Sequence, residues 1–523
     1  MTSTTRIRPE MTQNRHSNHT KAGKNMMADI TLVNLNMLYI RYGEKTDKEL
    51  HVPLGPLYLT RSLEQAGFMV DFRDYQLCEV DDPFDMTAFL KFAENPAPVI
   101  GISCMANLLP FTLLAFKALR KLYPDRTLVL GGVGSKSVED KILRRFPWLD
   151  IICRGEAEHT GPELLRSLND GKDLSQVKGL SFRFNGSVIH NPNRERIKDL
   201  DTVAFPSVEK IDLGRYTGFG MITSRGCPYQ CTFCSVAPVW NLESHSRSPR
   251  NIIKEMRVLK ERAGVDLFLF QDEFFVSGKK QVMDFCRELQ RENLGVEFKA
   301  FGRVNLVDRE IMHALADSGC IELRFGIESG SDKILSKIKK GFTCSDVLEI
   351  VPAAIDIFPR VDAFYVWGFP FETMEDFNQS LFQMISLRMM GARILPSLLC
   401  LLPQTEIYNE LSRRMPLEFC PYLLPEFVFT GHEICRGGSI EIPESHKDYF
   451  ELIKQNPDIF PGFFHMDLEG NVLPKLSLLR QFGFYPDPAS GTKNLSQDTQ
   501  NQTESCGAHS PKIQPQNLAT RAN

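Results

Sequence analysis

Residues 221–236 read MITSRGCPYQCTFCSV, in which Cys227, Cys231 and Cys234 follow an apolar, strand-like run on a loop containing glycine and proline. The C-x-x-x-C-x-x-C spacing on such a loop lets three thiolates curl toward one point. Three ligands leave one iron of a four-iron cluster without a protein donor, and an open iron is a catalytic feature. A structural zinc site draws on the same residue types but needs four ligands, and no nearby Cys or His completes a set at the usual spacings. The chain has 13 cysteines, and most of the others stand singly, as Cys104 does in VIGISCMA and Cys320 in DSGCIELRF, in the manner of small core residues. The cluster therefore reads as an iron-sulfur site, with zinc or unconnected thiols as the competing readings.

Working outward, short β-branched runs alternate with longer amphipathic stretches on both sides of the cysteines, the pattern of parallel sheets with crossover helices. Upstream, ITLVNLN (30–36), MVDFRDY (69–75), PVIGIS (98–103), RTLVLGG (126–132) and LDIICRG (149–155) are strand candidates, separated by helical stretches such as PFTLLAFKALRKLY (110–123). Five strands fit a doubly wound, Rossmann-like sheet over residues 29–170. A connector over 171–215 has hairpin character around Asn185-Gly186. Downstream, GMITS, DLFLFQD, VEFKAFG, IELRFGI, DAFYVWGF and ARILPSLL give six strand-helix repeats. They predict a partial (β/α)6 barrel of the TIM type over 216–410, with reactive groups at the C-terminal strand ends. The overall class is α/β, with a small Pro- and Phe-rich accessory region over 411–486. The polar stretches 1–28 and 487–523 lack the apolar residues to build a core and are expected to be disordered.

Composition narrows the function. With 61 basic and 65 acidic residues the net charge is -4, which gives no electrostatic reason for a nucleic-acid partner. No apolar run is long enough to span a bilayer, and the first 25 residues lack the apolar core of a signal peptide, so a soluble cytoplasmic protein is expected. In such a chain a cysteine cluster belongs to metal chemistry rather than to disulfides.

The cysteine motif, with the aromatic Phe233 before its last cysteine, resembles the signature of the radical S-adenosylmethionine (SAM) enzymes. LFLFQDEFF, AFGRVNLVDREIMHALADSGC, LRFGIESGSDKIL and YVWGFPFETMEDF look like successive strand-end motifs of that family, in order and at fitting separations. The resemblance implies a [4Fe-4S] cluster on Cys227, Cys231 and Cys234. It also implies an external electron donor such as flavodoxin or ferredoxin, and reductive cleavage of SAM to a 5'-deoxyadenosyl radical. By family position Asp272 and Glu273 are candidates for the SAM ammonium, Arg303 for its carboxylate, and Glu328 with Ser329 for the ribose. Phe233 would lie with its backbone by the adenine. These residue types suit those ligand groups physically; solvated strand-end charge, and packing for Phe233, are the plainer readings.

The first unit lacks G-x-G-x-x-G and any P-loop. Its segments PLGPLYLTRSLEQAGFMVDFRDY, VIGISCMA, LVLGGVGSK and DIICRGEAE resemble the cobalamin-binding domain that precedes the radical domain in one large subclass of that family, the class B methylase-like enzymes. Glycines at strand ends let a bulky planar ligand approach the backbone, although turn geometry alone also selects glycine. Gly55, Ser103, Gly131, Gly132 and Glu156 are the candidates for lining a cobalamin site. The D-x-H-x-x-G motif is absent and Gly134 stands where relatives often carry histidine, so histidine ligation of cobalt is not predicted. The two domains together imply cobalamin-dependent methylation of an unactivated carbon or phosphorus of a small-molecule substrate. A cobalamin-dependent cyclase or rearrangement enzyme, and a non-catalytic metal or cobalamin sensor, are the alternatives.

Overall fold

A computed structural model of the chain describes residues 28–35, 50–216, 218–420 and 444–485. The stretches expected to be disordered lie outside the described residues, Ala28 apart. The first sheet contains β1 (Ile30–Asn34), β2 (Val70–Asp74), β3 (Val99–Ser103), β4 (Thr127–Gly131), β5 (Ile151–Cys153), β6 (Leu180–Phe184) and β7 (Ser187–His190), in the spatial order β2-β1-β3-β4-β5-β6-β7. The first five are parallel, and the order reverses direction between β1 and β3, which opens a crevice at the carboxyl ends. All five upstream strand candidates are present. The stretch read as a connector does more than join: Asn185 and Gly186 both have positive φ, as a two-residue hairpin turn requires, and β6 pairs antiparallel with β5. The hairpin is therefore the rim of the first sheet.

These strands are apolar on both faces because both are covered. Ile30, Leu32, Val99 and Val129 pack beneath the helices Leu54–Gln65 and Ala157–Asn169, while Val33, Ile100, Ile102 and Leu130 pack beneath Leu109–Leu122.

The second sheet begins with β8 (Phe219–Met221). After it, β9 (Ser224–Arg225) and β10 (His245–Ser246) form a small antiparallel pair of their own, and the sheet continues with β11 (Leu267–Phe270), β12 (Glu297–Gly302), β13 (Cys320–Glu328), β14 (Arg360–Trp367) and β15 (Arg393–Leu398). Its order, β8-β11-β12-β13-β14-β15, is sequential and parallel throughout, so it curls as an incomplete barrel with β8 and β15 as free edges. Four of the crossover helices have a sequence reason to start where they do. Ser248 and Asp308 accept the N3 amide of their helices, and Thr343 with Asp346 and Thr373 with Asp376 form complete capping boxes.

The C-terminal region joins both units. The helix Lys447–Gln455 buries Tyr449, Phe450 and Ile453 in the core of the first sheet, on its Leu109–Leu122 side. The helix Leu473–Gln481 sits over the end of β14, where Lys475 Nζ donates to Glu372 Oε2 at 2.7 Å and to the Glu372 carbonyl at 2.8 Å. Lys475 and Glu372 have side chains only 1% and 0% exposed, and burial pushes the lysine down and the carboxyl up. Removing one member of such a pair strands the other charge in an apolar site. Lys475→Met should therefore cost about 3–5 kcal/mol in chemical denaturation, and adding Glu372→Leu should recover most of that loss.

Candidate active site

The three cysteines leave β9 through Gly226, whose φ of 92° and surroundings admit no side chain: a Cβ there would stand 2.1 Å from the carbonyl oxygen of Glu243. The loop is then pinned to two later elements. Thr232 N donates to the Ile338 carbonyl at 3.1 Å, and Ile407 N donates to the Thr232 carbonyl at 3.0 Å. Cys234 Sγ accepts from Val236 N at 3.4 Å, and Cys231 Sγ lies 3.8 Å from the Lys339 carbonyl. Burial raises the Cys227 thiol and pushes Cys234 up to about 11, and Cys231 adds to both shifts by charge repulsion. Arg303 and Lys340 oppose the shift at Cys227, and Lys340 opposes it at Cys234. Three thiolates with cations beside them suit an anionic cluster. Among the described residues no three His, Cys, Asp or Glu side chains close on a single ion.

At the barrel strand ends the predicted residues divide. Asp272, after β11, is 3% exposed, and its oxygens accept from Thr223 N at 2.6 Å, Ser224 N at 2.7 Å and the Thr223 hydroxyl. It ties β11 to the segment entering the cysteine loop and does not face open space. Glu273 next to it is exposed and accepts from Trp240 Nε1 at 3.0 Å. Arg303, after β12, stacks 3.6 Å above the ring centroid of Tyr229 in the cysteine loop and donates to the Lys340 carbonyl. Glu328 ends β13 with a φ of 74°, and its Oε1 accepts from Lys340 Nζ at 2.7 Å. Ser329 is fully buried, with its hydroxyl 3.0 Å from that of Ser380 on the helix Met374–Met390. The Ser329 hydroxyl also accepts from Ser331 N at 3.1 Å. Phe233 packs edge-on against Phe369 at 5.8 Å.

A cleft of about 1270 Å³, counting its open mouth, lies at the carboxyl ends of β1, β3, β4 and β5. Gly55, Ser103, Gly131, Gly132 and Glu156 all line it, and so do Trp240, Gln271 and Glu273 from the second unit. The glycines have different reasons to be there. A Cβ on Gly55 meets nothing within 4 Å and one on Gly131 meets only Ile102 O at 3.9 Å, so their smallness enlarges the cleft. Gly132, with a φ of 82°, would drive a Cβ to 2.4 Å from the Cys104 carbonyl, so there the turn geometry decides. The Glu156 carboxylate belongs to the wall rather than to the open space, because Arg196, Arg225 and Ile197 N already occupy it. Arg225, Trp240 and Lys340 were not singled out by the sequence. Only the proximity of Arg225 to the cysteines and the cation two residues beyond Ile338 were visible signals.

The family profile described as "Radical SAM superfamily" matches residues 221–384, and that of "B12 binding domain" matches 45–165. The chain carries a radical SAM domain, with a B12 binding domain ahead of it. It is 30% identical over 283 residues to an uncharacterized methyltransferase of Pyrococcus horikoshii, covering 53% of this chain and 62% of that protein. It is 28% identical over 325 residues to an anaerobic magnesium-protoporphyrin IX monomethyl ester cyclase of Synechocystis, covering 61% of this chain and 64% of that one. The chain thus spans less than two thirds of the length of either relative. Its fold is like that of the radical SAM methyltransferase TsrM from Kitasatospora setae, solved with cobalamin and a [4Fe-4S] cluster, at a TM-score of 0.60, 18% identity, and 74% and 75% of the two chains.

The cofactors of the two domains are a [4Fe-4S] cluster with SAM, and cobalamin. The residues present fit them. The radical SAM domain offers three thiols on one rigid loop beside two cations, and the B12 binding domain offers a largely apolar cleft at the switch point of its sheet, floored by two glycines with open space before them. Among the described residues, no helix is long and apolar enough to cross a membrane. Within the radical SAM domain, burial outweighs three hydrogen bonds and pushes the Asp272 carboxyl up from 3.8 to about 7. The protonated form is thus favoured in the fold, so this contribution to stability is full below about pH 4 and is lost as pH rises through 7. Asp272→Asn removes that dependence. Thermal and chemical denaturation of the cofactor-free chain should show the variant gaining on the native protein, by on the order of 4 kcal/mol between about pH 4 and pH 8.

Proposed function

We propose that this chain is a cobalamin-dependent radical SAM enzyme that transfers a methyl group to an unactivated carbon or phosphorus of a small molecule. The observation that carries the reading is the shared cleft: Gly55, Ser103 and Gly131 of the B12 binding domain and Trp240, Gln271 and Glu273 of the radical SAM domain line the same space. Two reactive groups that must exchange a one-carbon unit have to stand across one water-poor volume. When bound, the cluster supplies the electron for reductive cleavage of SAM, drawn from an external donor such as flavodoxin or ferredoxin, and methylcobalamin supplies the methyl group.

The chain's own residues prepare that volume. Cys227, Cys231 and Cys234 would hold the cluster, three thiolates being one fewer than its irons. Glu273, with one oxygen on Trp240 and the other 3.4 Å from Gly226 N, pairs with the SAM ammonium in preference to the enclosed Asp272. Arg303 stands on Tyr229 as the carboxylate partner, and Glu328, held by Lys340, faces the ribose. Leu32, Val129, Leu164 and Leu165 exclude water from the cobalamin side. A radical cyclisation or rearrangement without methyl transfer is the second reading, favoured by the likeness to the Synechocystis cyclase.

The two readings part on the fate of the SAM methyl group. Reduced holoenzyme given methyl-labelled SAM and a small-molecule extract should place label in a third product besides methionine and unreacted SAM. Label confined to methionine would leave the cyclase reading.

A further inference from the structure

The two domains meet through a buried chain of alternating charges that the proposed chemistry does not itself use. Glu156 lies where β5 hands over to the helix Ala157–Asn169. One of its oxygens accepts from Arg225 Nη1 at 2.9 Å; the other accepts from Arg196 Nε at 3.0 Å and from Ile197 N at 2.8 Å. Arg225 Nη2 reaches Glu158 Oε1 at 2.6 Å. All four side chains are nine-tenths or more buried, with exposures of 3% for Glu156, 6% for Arg196, 8% for Arg225 and 10% for Glu158.

The network grips the cysteine loop on both sides. Arg225 is the last residue of β9, two before Cys227. Arg196 donates to the Arg225 carbonyl at 3.3 Å and to the Trp240 carbonyl at 2.9 Å, with its guanidinium 4.4 Å above the Trp240 ring. The loop that carries the cluster ligands is thus entered at Arg225 and left at Trp240, and both points are fastened to the sheet that forms the cobalamin cleft. A buried ion network gains little stability over well-packed apolar residues of the same volume. What it supplies is fixed geometry, since each guanidinium donates to its carboxylates in only a few orientations.

We infer that Glu156, Arg196 and Arg225 are positioning residues that set the distance and orientation of the cluster loop relative to the cobalamin cleft. This rests on the reading that both cofactors are bound. Glu156→Gln keeps shape and removes the charge that joins the two arginines. The measurement is pulsed dipolar EPR between the reduced cluster and cob(II)alamin in the reconstituted full chain. The native protein should give one narrow distance, and Glu156→Gln a distribution at least twice as wide at unchanged iron and cobalt content.

Glu322→Gln serves as the control. Glu322 is 1% exposed and paired with Lys299 and Arg324 near the N-terminal end of the barrel, far from the domain junction in the fold, and its loss should leave the distribution narrow. A distribution for Glu156→Gln as narrow as the native one, or one widened equally by Glu322→Gln, overturns the inference. Should Glu156→Gln fail to load cofactors, hydrogen exchange of the cofactor-free chain decides. Residues 222–240 should exchange at least tenfold faster in Glu156→Gln and in Arg225→Lys than in the native chain and Glu322→Gln, and equal rates overturn the inference. Native protein that takes up no cobalt instead overturns the two-cofactor reading, while the exchange comparison still decides the network.

Discussion

A parallel sheet sends every outgoing loop to one edge, and this chain turns two such edges toward a single cleft. Everything chemical in the molecule depends on that constraint. Asn34, Ser103 and Gly131 stand level across β1, β3 and β4, so the B12 binding domain ends in an even rim rather than a ragged one. Opposite it, the ends of β8 and β11 bring Ile222, Gln271 and Glu273 to the same space. The antiparallel pair of β9 and β10 lets the backbone leave the barrel, form the cysteine loop and return without spending a strand of the main sheet.

Electrostatics then divides the work between enclosed and open groups. Asp272, Ser329 and Glu156 are saturated by neighbours and hold backbone in place, while Glu273 is exposed and Arg303 half-buried at the strand ends, and Glu328 is as buried as Glu156 but bonded to Lys340 alone. Lys340 joins the two sets: it bonds Glu328, its carbonyl receives Arg303, and its charge favours the thiolates of Cys227 and Cys234. Arg303 and Lys340 thus offset part of the burial that otherwise disfavours thiolates in the cysteine loop.

Much of this was legible in the sequence because it is locally encoded. The period-2 and continuous apolar runs marked all eleven parallel strands, Asn185-Gly186 marked the hairpin, and the cysteine spacing marked the loop. What was not legible depends on contacts far apart in the chain. Asp272 and Glu273 are adjacent carboxylates that look alike as letters; the fold encloses one and exposes the other. Ser329 is spent on Ser380, 51 residues away, and Glu156 on Arg225, 69 residues away. Pairings at that separation leave no periodic signal. Nor did composition indicate that the C-terminal region would send one helix to each unit, since its aromatic residues serve either core equally well.

The central claim is that one chain carries both cofactors on either side of one cleft. Metal analysis of the full chain, purified without oxygen from cells supplied with iron and cobalamin, tests it most directly. The account predicts about four irons and about one cobalt per chain. Iron at that level with no cobalt would contradict it and leave a radical enzyme whose first sheet serves only to shape the pocket.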